Sequence, residues 1–145
     1  MKFSFQTTTE LKPEEIWIYY ENVKKWKEWI FGLEAIRLNG KFESGSAINV
    51  TMANLPPLKL MLVSVKENQS FIFEVLIPQT GMFIFRSDLI RKNGLTTVQH
   101  TIEFLPDAKE EKNEDVQMGL TIFSHVPTNT LSLIRTARVK NTIII

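Results

Sequence analysis

The stretch Met82-Phe83-Ile84-Phe85-Arg86-Ser87-Asp88-Leu89-Ile90-Arg91-Lys92-Asn93-Gly94-Leu95-Thr96-Thr97-Val98-Gln99-His100-Thr101-Ile102-Glu103-Phe104 reads as two strands about one tight turn. Asn-Gly is a strong hairpin signal, because a two-residue type I′ loop needs positive φ at both central positions. The turn also sets the register. With Lys92 opposite Leu95, Leu89 pairs with Val98, Ser87 with His100, Phe85 with Ile102 and Phe83 with Phe104. These pairs share one face, which is almost wholly apolar. The other face carries Ile84, Arg86, Asp88 and Ile90 against Thr97, Gln99, Thr101 and Glu103, a mixture suited to water.

Ser87 and His100 stand out on the apolar face. An unpaired buried polar group is costly, so the two are expected to bond each other, water or a ligand. An inward histidine on a strand more often satisfies a structural bond than performs chemistry, and that reading stands beside the functional one.

Working outward, Gly40, Gly45, Pro56-Pro57, Asn68-Gln69 and Pro78 to Gly81 punctuate the chain between Glu34 and Phe104. Six consecutive antiparallel strands follow, at 34–39, 46–53, 58–66, 70–77, 82–91 and 95–104. Phe71, Phe73, Val75 and Ile77 form a second alternating apolar row, and Met52, Met61, Met82 and Met118 supply flexible, polarizable side chains. Upstream, residues 2–9 alternate as a strand. Pro13-Glu14-Glu15 then opens a helix running to about Glu21, since proline suits the first turn and acids complement the N-terminal dipole. A second short helix is expected from Val23 to Ile30, with Trp26 and Trp29 on one face.

Downstream, 107–115 is a mixed charged connection leading into a long helix. Val116, Leu120, Phe123, Leu131, Ile134 and Ala137 recur there at helical spacing, widened by Met118, Ile122 and Val126. Pro127 predicts a kink or short break. The tail Thr142-Ile143-Ile144-Ile145 is unusually apolar, as suits docking or association.

The composition fits one soluble α+β domain spanning 1–145, with 43% apolar and 23% charged residues. A formal net charge of +1 offers no global field for nucleic acid, and no apolar run approaches the roughly 20 residues that cross a bilayer. Absence of cysteine excludes thiol chemistry and agrees with a cytoplasmic location, as does an N-terminus without the apolar core of a signal peptide. A monomer or weak homodimer is expected.

The order strand, two short helices, six-strand meander and long helix resembles the SRPBCC or START-like superfamily, in particular its polyketide cyclase/dehydrase-like members. The likeness is carried by Pro13-Glu14-Glu15-Ile16-Trp17, Val23 to Trp29, Leu38-Asn39-Gly40-Lys41-Phe42 through Gly45, and Gly94 to Glu103. It implies a helix-grip fold, a curved antiparallel sheet of about seven strands around the last helix, with a cavity for lipids, polyketides or other apolar molecules. It implies no single activity, because the superfamily includes carriers, cyclases and chaperone-activating modules.

Two histidines, His100 and His125, without cysteine do not make an ordinary metal site, and no glycine-rich phosphate loop or nucleotide fingerprint occurs. No metal and no cofactor are therefore expected. Ser46 lacks the setting of a nucleophile elbow. Ser124-His125, before Pro127, suits a capping or surface role, and Lys24, Lys25 and Lys27 about Trp26 suit a solvated face.

Three readings remain. In the first, a small apolar ligand binds without reaction, walled by Phe73, Phe85, Ile102, Met118, Ile122 and Phe123 and oriented by Ser87 and His100. In the second, a cyclase or dehydratase uses His100 as general acid/base, with Ser87 fixing its tautomer. In the third, the interior is filled by side chains and the surface binds a protein.

Overall fold

The computed structural model describes residues 1–107, Gln117, Thr121 and 124–142. Seven strands form one antiparallel sheet: β1 (Lys2–Thr9), β2 (Leu33–Asn39), β3 (Ala47–Met52), β4 (Leu58–Lys66), β5 (Ser70–Ile77), β6 (Gly81–Lys92) and β7 (Leu95–Pro106). Their order is β1-β7-β6-β5-β4-β3-β2. The six later strands form a meander, and β1 closes on the last of them. Among the described residues the continuous helical elements are α1 (Pro13–Glu21), a 3-10 helix at Val23–Glu28 and α2 (Val126–Thr142).

The hairpin forms in the register that its turn dictates. Asn93 and Gly94 take φ of 54° and 79°, and Lys92 lies opposite Leu95, which places Ser87 opposite His100 and Phe85 opposite Ile102. Phe71 and Phe73 continue the inner face across β5, opposite Ser87 and Phe85. The outer face pairs its own polar groups. Gln99 donates to Ser4 at 2.9 Å, and the Arg86 guanidinium holds Asp88 at 2.8 Å. Register shifts at Leu33/Ala35 and Leu62/Ser64 mark irregularities where one strand carries an extra residue, a local device that bends a sheet.

Proline at the first position and a bond from the Lys12 amide to Glu15 Oε1 (2.9 Å) start α1. This helix buries Ile16, Trp17, Tyr19 and Tyr20. The expected second helix is a 3-10 turn and ends before Trp29. Its three-residue period aligns Trp26 and Trp29, whose ring centroids lie 6.1 Å apart. Their indole N–H groups donate to the Tyr20 and Tyr19 carbonyls at 2.8 and 3.2 Å, tying this turn back onto α1.

The break expected at Pro127 falls at His125, and Pro127 occupies the first turn of α2, where its missing N–H has no helical partner to lose. The buried face of α2 is narrower than the apolar pattern of its sequence. Leu131, expected on the buried stripe, is 47% exposed, while Val126, Thr130, Leu133, Ile134 and Ala137 turn inward. The apolar tail beyond Thr142 and the charged residues 108–115 lie outside the described residues.

Candidate functional site

His100 stands at mid-strand on β7, fully buried beneath α1 and α2. Each ring nitrogen has a partner from a different helix. Tyr20 Oη of α1 lies 2.7 Å from Nε2, and Thr130 Oγ1 of α2 lies 2.8 Å from Nδ1. Thr130 also donates its only hydroxyl proton to the Val126 carbonyl at 2.7 Å. Its oxygen can then only accept from His100. Nδ1 therefore carries the imidazole proton, and Nε2 accepts from the Tyr20 hydroxyl. The bonds run in one direction, from Tyr20 through His100 and Thr130 to a helix carbonyl.

Burial pushes the His100 pKa down from 6.5 to about 3, so the ring is neutral at physiological pH. Burial likewise raises that of Tyr20 far above the usual tyrosine range; the nearby Ser87 hydroxyl opposes the shift and the charge of Asp88 adds to it. On balance the arrangement favours the neutral form of both groups.

Of the partners open to Ser87 and His100, namely each other, water or a ligand, the mutual bond is not made, and Thr130, not Ser87, fixes the tautomer. Ser87 is fully buried. Its hydroxyl is close enough to Tyr20 to temper that residue's shift, but the geometry falls short of a hydrogen bond. Among the described residues it is the one buried side-chain oxygen or nitrogen without a partner.

Aromatic rings surround this network. Phe71 lies 4.8 Å from Tyr20, edge to face, and 6.2 Å from both Trp17 and Trp26. Phe85 lies 5.2 Å from His100, and it stacks on Phe73 at 4.9 Å and 18°. The two ends of this cluster differ in cover. Phe71, Tyr20, Trp17 and Trp26 are at most 2% exposed, whereas Phe73 and Phe85 are only partly buried although they sit at mid-strand on two interior strands.

The sequence-derived site thus divides. Ser87, His100, Phe73, Phe85 and Ile102 share the inner face of β5 to β7. Met118, Ile122 and Phe123 lie outside the described residues. His125 is exposed and stacks on Phe31 at 5.5 Å. Tyr20 and Thr130 join the site without having been expected there. Each is nevertheless marked in the sequence as a polar residue on an apolar helical stripe, Tyr20 four after Ile16 and Thr130 four after Val126. Among the described residues, no group of three or more acidic or histidine side chains is placed to hold a metal ion, and no helix is long and apolar enough to cross a membrane.

No family model matches the chain, and no curated protein matches it. Among solved structures, 240 chains match, so the architecture is widely used and argues for no single activity. One is the crystal structure of Ara h 8.0201, with a TM-score of 0.74 over 96% of this chain and 98% of that one at 11% sequence identity. At that identity the likeness is one of fold, and the fold is the helix grip: a curved seven-stranded antiparallel sheet with short helices after its first strand and a helix at its C-terminal end.

Proposed function

We propose that the protein belongs to the START-like superfamily and binds a small apolar molecule against the inner face of the sheet, without transforming it. The observation that carries this reading is the stacked pair Phe73 and Phe85. Aromatic side chains at mid-strand on interior strands should be among the best covered in a fold of this size, yet both keep exposed surface while Phe71, two residues before Phe73 on the same face, keeps none. A flat apolar ligand laid on that pair would cover it, and desolvation would drive its binding.

The acid–base alternative asks His100 to exchange protons with a substrate. Both of its nitrogens are occupied, and its neutral form is strongly preferred, so that role would first require breaking a buried bond to a helix.

Titration with N-phenyl-1-naphthylamine, which fluoresces in apolar surroundings, tests the binding reading. Saturable enhancement at one site is expected, weakened at least several-fold in Phe85→Ala and reversed by aromatic or lipid competitors. If the probe and a panel of lipids and aromatics all fail to bind, the reading is wrong.

A further inference from the structure

A sheet that does not close into a barrel has two edge strands, and the two here are guarded differently. β2 carries the charged Glu34 and Arg37, shifts register between Leu33 and Ala35, and packs against the 3-10 helix. Each of these features discourages a foreign strand. β1 is bare by comparison. It pairs with β7 without a shift from Lys2 opposite Glu103 to Thr9 opposite Thr96, contains no proline or glycine, and bears one charge, Lys2, at its end. Helix α2 packs against it, and Arg138 is bonded to Glu10 just beyond its last residue.

Pairing with β7 decides which main-chain groups of β1 are left over. The Met1 ammonium donates to the Phe104 carbonyl at 3.2 Å, and the Phe104 amide donates back to the Met1 carbonyl at 2.8 Å. Such reciprocal pairs recur at every second residue of an antiparallel ladder, so Phe3, Phe5, Thr7 and Thr9 bond to β7. The amide and carbonyl groups of Lys2, Ser4, Gln6 and Thr8 therefore point to the open side. Among the described residues none of these groups finds a main-chain partner there.

A second copy of the same strand would complete them. Opposite residues in a ladder share a face, and on β1 Phe3, Phe5 and Thr7 face inward while Lys2, Ser4, Gln6 and Thr8 face out. Antiparallel pairing about a twofold axis at Phe5 sets Lys2 opposite the partner's Thr8, Ser4 opposite the partner's Gln6, and Phe3 opposite the partner's Thr7. All four open residues then meet one another. An axis at Ser4 or at Gln6 also matches the faces, but it leaves Thr8 or Lys2 over. Charge favours the same arrangement, because each Lys2 comes to the end of the other strand that runs on into Glu10, while the two lysines stay about 20 Å apart. Phe5, half covered at mid-strand, meets its own copy across the axis.

We infer that two copies of the chain associate through β1, merging their sheets into one. A single strand pair buries little area, so the dimer is weak and reversible. The junction lies two strands from β6 and three from β5, which leaves Phe73 and Phe85 open and ligand binding independent of association.

Sedimentation velocity from micromolar to near-millimolar protein tests the association, with a reversible monomer–dimer equilibrium expected. Gln6→Pro removes an amide on the open side, a position where edge strands tolerate proline. It should keep the circular dichroism of the native chain and move dimerisation to concentrations at least about tenfold higher. The chain has no cysteine, so an introduced thiol reports proximity. Opposite residues of a non-hydrogen-bonded pair have Cα atoms about 4.5 Å apart, within disulfide reach. Phe5→Cys should therefore oxidise to a covalent dimer, and Thr8→Cys, about 20 Å from its own copy, should not. A chain that stays monomeric at every concentration overturns the proposal. So does a dimer that forms as readily in Gln6→Pro, or one in which Thr8→Cys cross-links as fast as Phe5→Cys. If Gln6→Pro does not fold, the two cysteine variants decide between β1 and any other interface.

Discussion

At the scale of single residues, His100 and Ser87 have opposite energetic meanings although they face each other across one strand pair. His100 links β7 to both helices, so His100→Ala leaves Tyr20 and Thr130 without partners and opens a cavity. A loss of about 3 kcal/mol in urea unfolding is expected. Ser87 buries a hydroxyl without a partner, so Ser87→Ala should be neutral or stabilising by up to about 1 kcal/mol, against the trend for buried positions. The depressed pKa of His100 gives a signed pH dependence. The unfolded chain takes up a proton near pH 6.5 and the folded one only near pH 3, so this contribution is whole above 6.5 and erodes as pH falls toward 3. The erosion approaches about 1.4 kcal/mol per pH unit, and His100→Gln should remove it. Urea midpoints at pH 7, 5 and 4 check this: parallel slopes for the two proteins would show that His100 is not the group responsible.

At the scale of elements, turn chemistry explains what the sequence reveals and what it hides. Strand alternation and the Asn93-Gly94 turn are local signals, and a two-residue loop leaves no freedom of register, so the facing of Ser87 and His100 is legible in the sequence alone. The partners of His100 are not, because Tyr20 and Thr130 arrive 80 residues upstream and 30 downstream, brought together only when helices pack on the sheet. Leu131 departs from its expected place because the apolar pattern is broader than the face that packs: Val126, Thr130, Leu133, Ile134 and Ala137 define the inward stripe, and Leu131 falls outside it. Phe73 and Phe85 are legible as inward residues, but their incomplete cover is not, since exposure depends on what lies opposite. The turn between β5 and β6 offers a sharp test of this element-level reasoning. Gly81 has φ of +151°, and a Cβ there would collide with the Leu105 carbonyl oxygen and stand 2.9 Å from the Phe104 ring. Gly81→Ala should therefore cost about 2 to 4 kcal/mol. Gly45→Ala, with φ of +94° and open space around it, should cost only about 1 kcal/mol. Equal losses in thermal unfolding would refute the role assigned to the close contact.

At the scale of the molecule, the sheet is gripped unevenly. The C-terminal helix α2 packs against α1, β1, β7 and the 3-10 helix, and the His100 network fixes it there, while β2 forms the far edge, bonded within the sheet to β3 alone and packed against the 3-10 helix. Between these limits lie the partly covered rings of Phe73 and Phe85. Stability should follow this layout, because amides open locally wherever few packed contacts hold them. Hydrogen exchange should be slowest in β5, β6 and β7, each bonded or packed on both sides, and fastest among the strands in β2, whose pairing is further interrupted at Leu33/Ala35. A bound ligand adds a second layer to this pattern. Binding stabilises the folded state by mass action, which slows amides that exchange only through global unfolding, but extra protection of locally opening amides arises only where the ligand packs. With N-phenyl-1-naphthylamine at saturation, such local gains are expected in β5 and β6 on either side of Phe73 and Phe85, with little change in the outward amides of β2. Local gains confined instead to α1 and the 3-10 helix would put the ligand at the closed aromatic end of the sheet and remove Phe73 and Phe85 from the site.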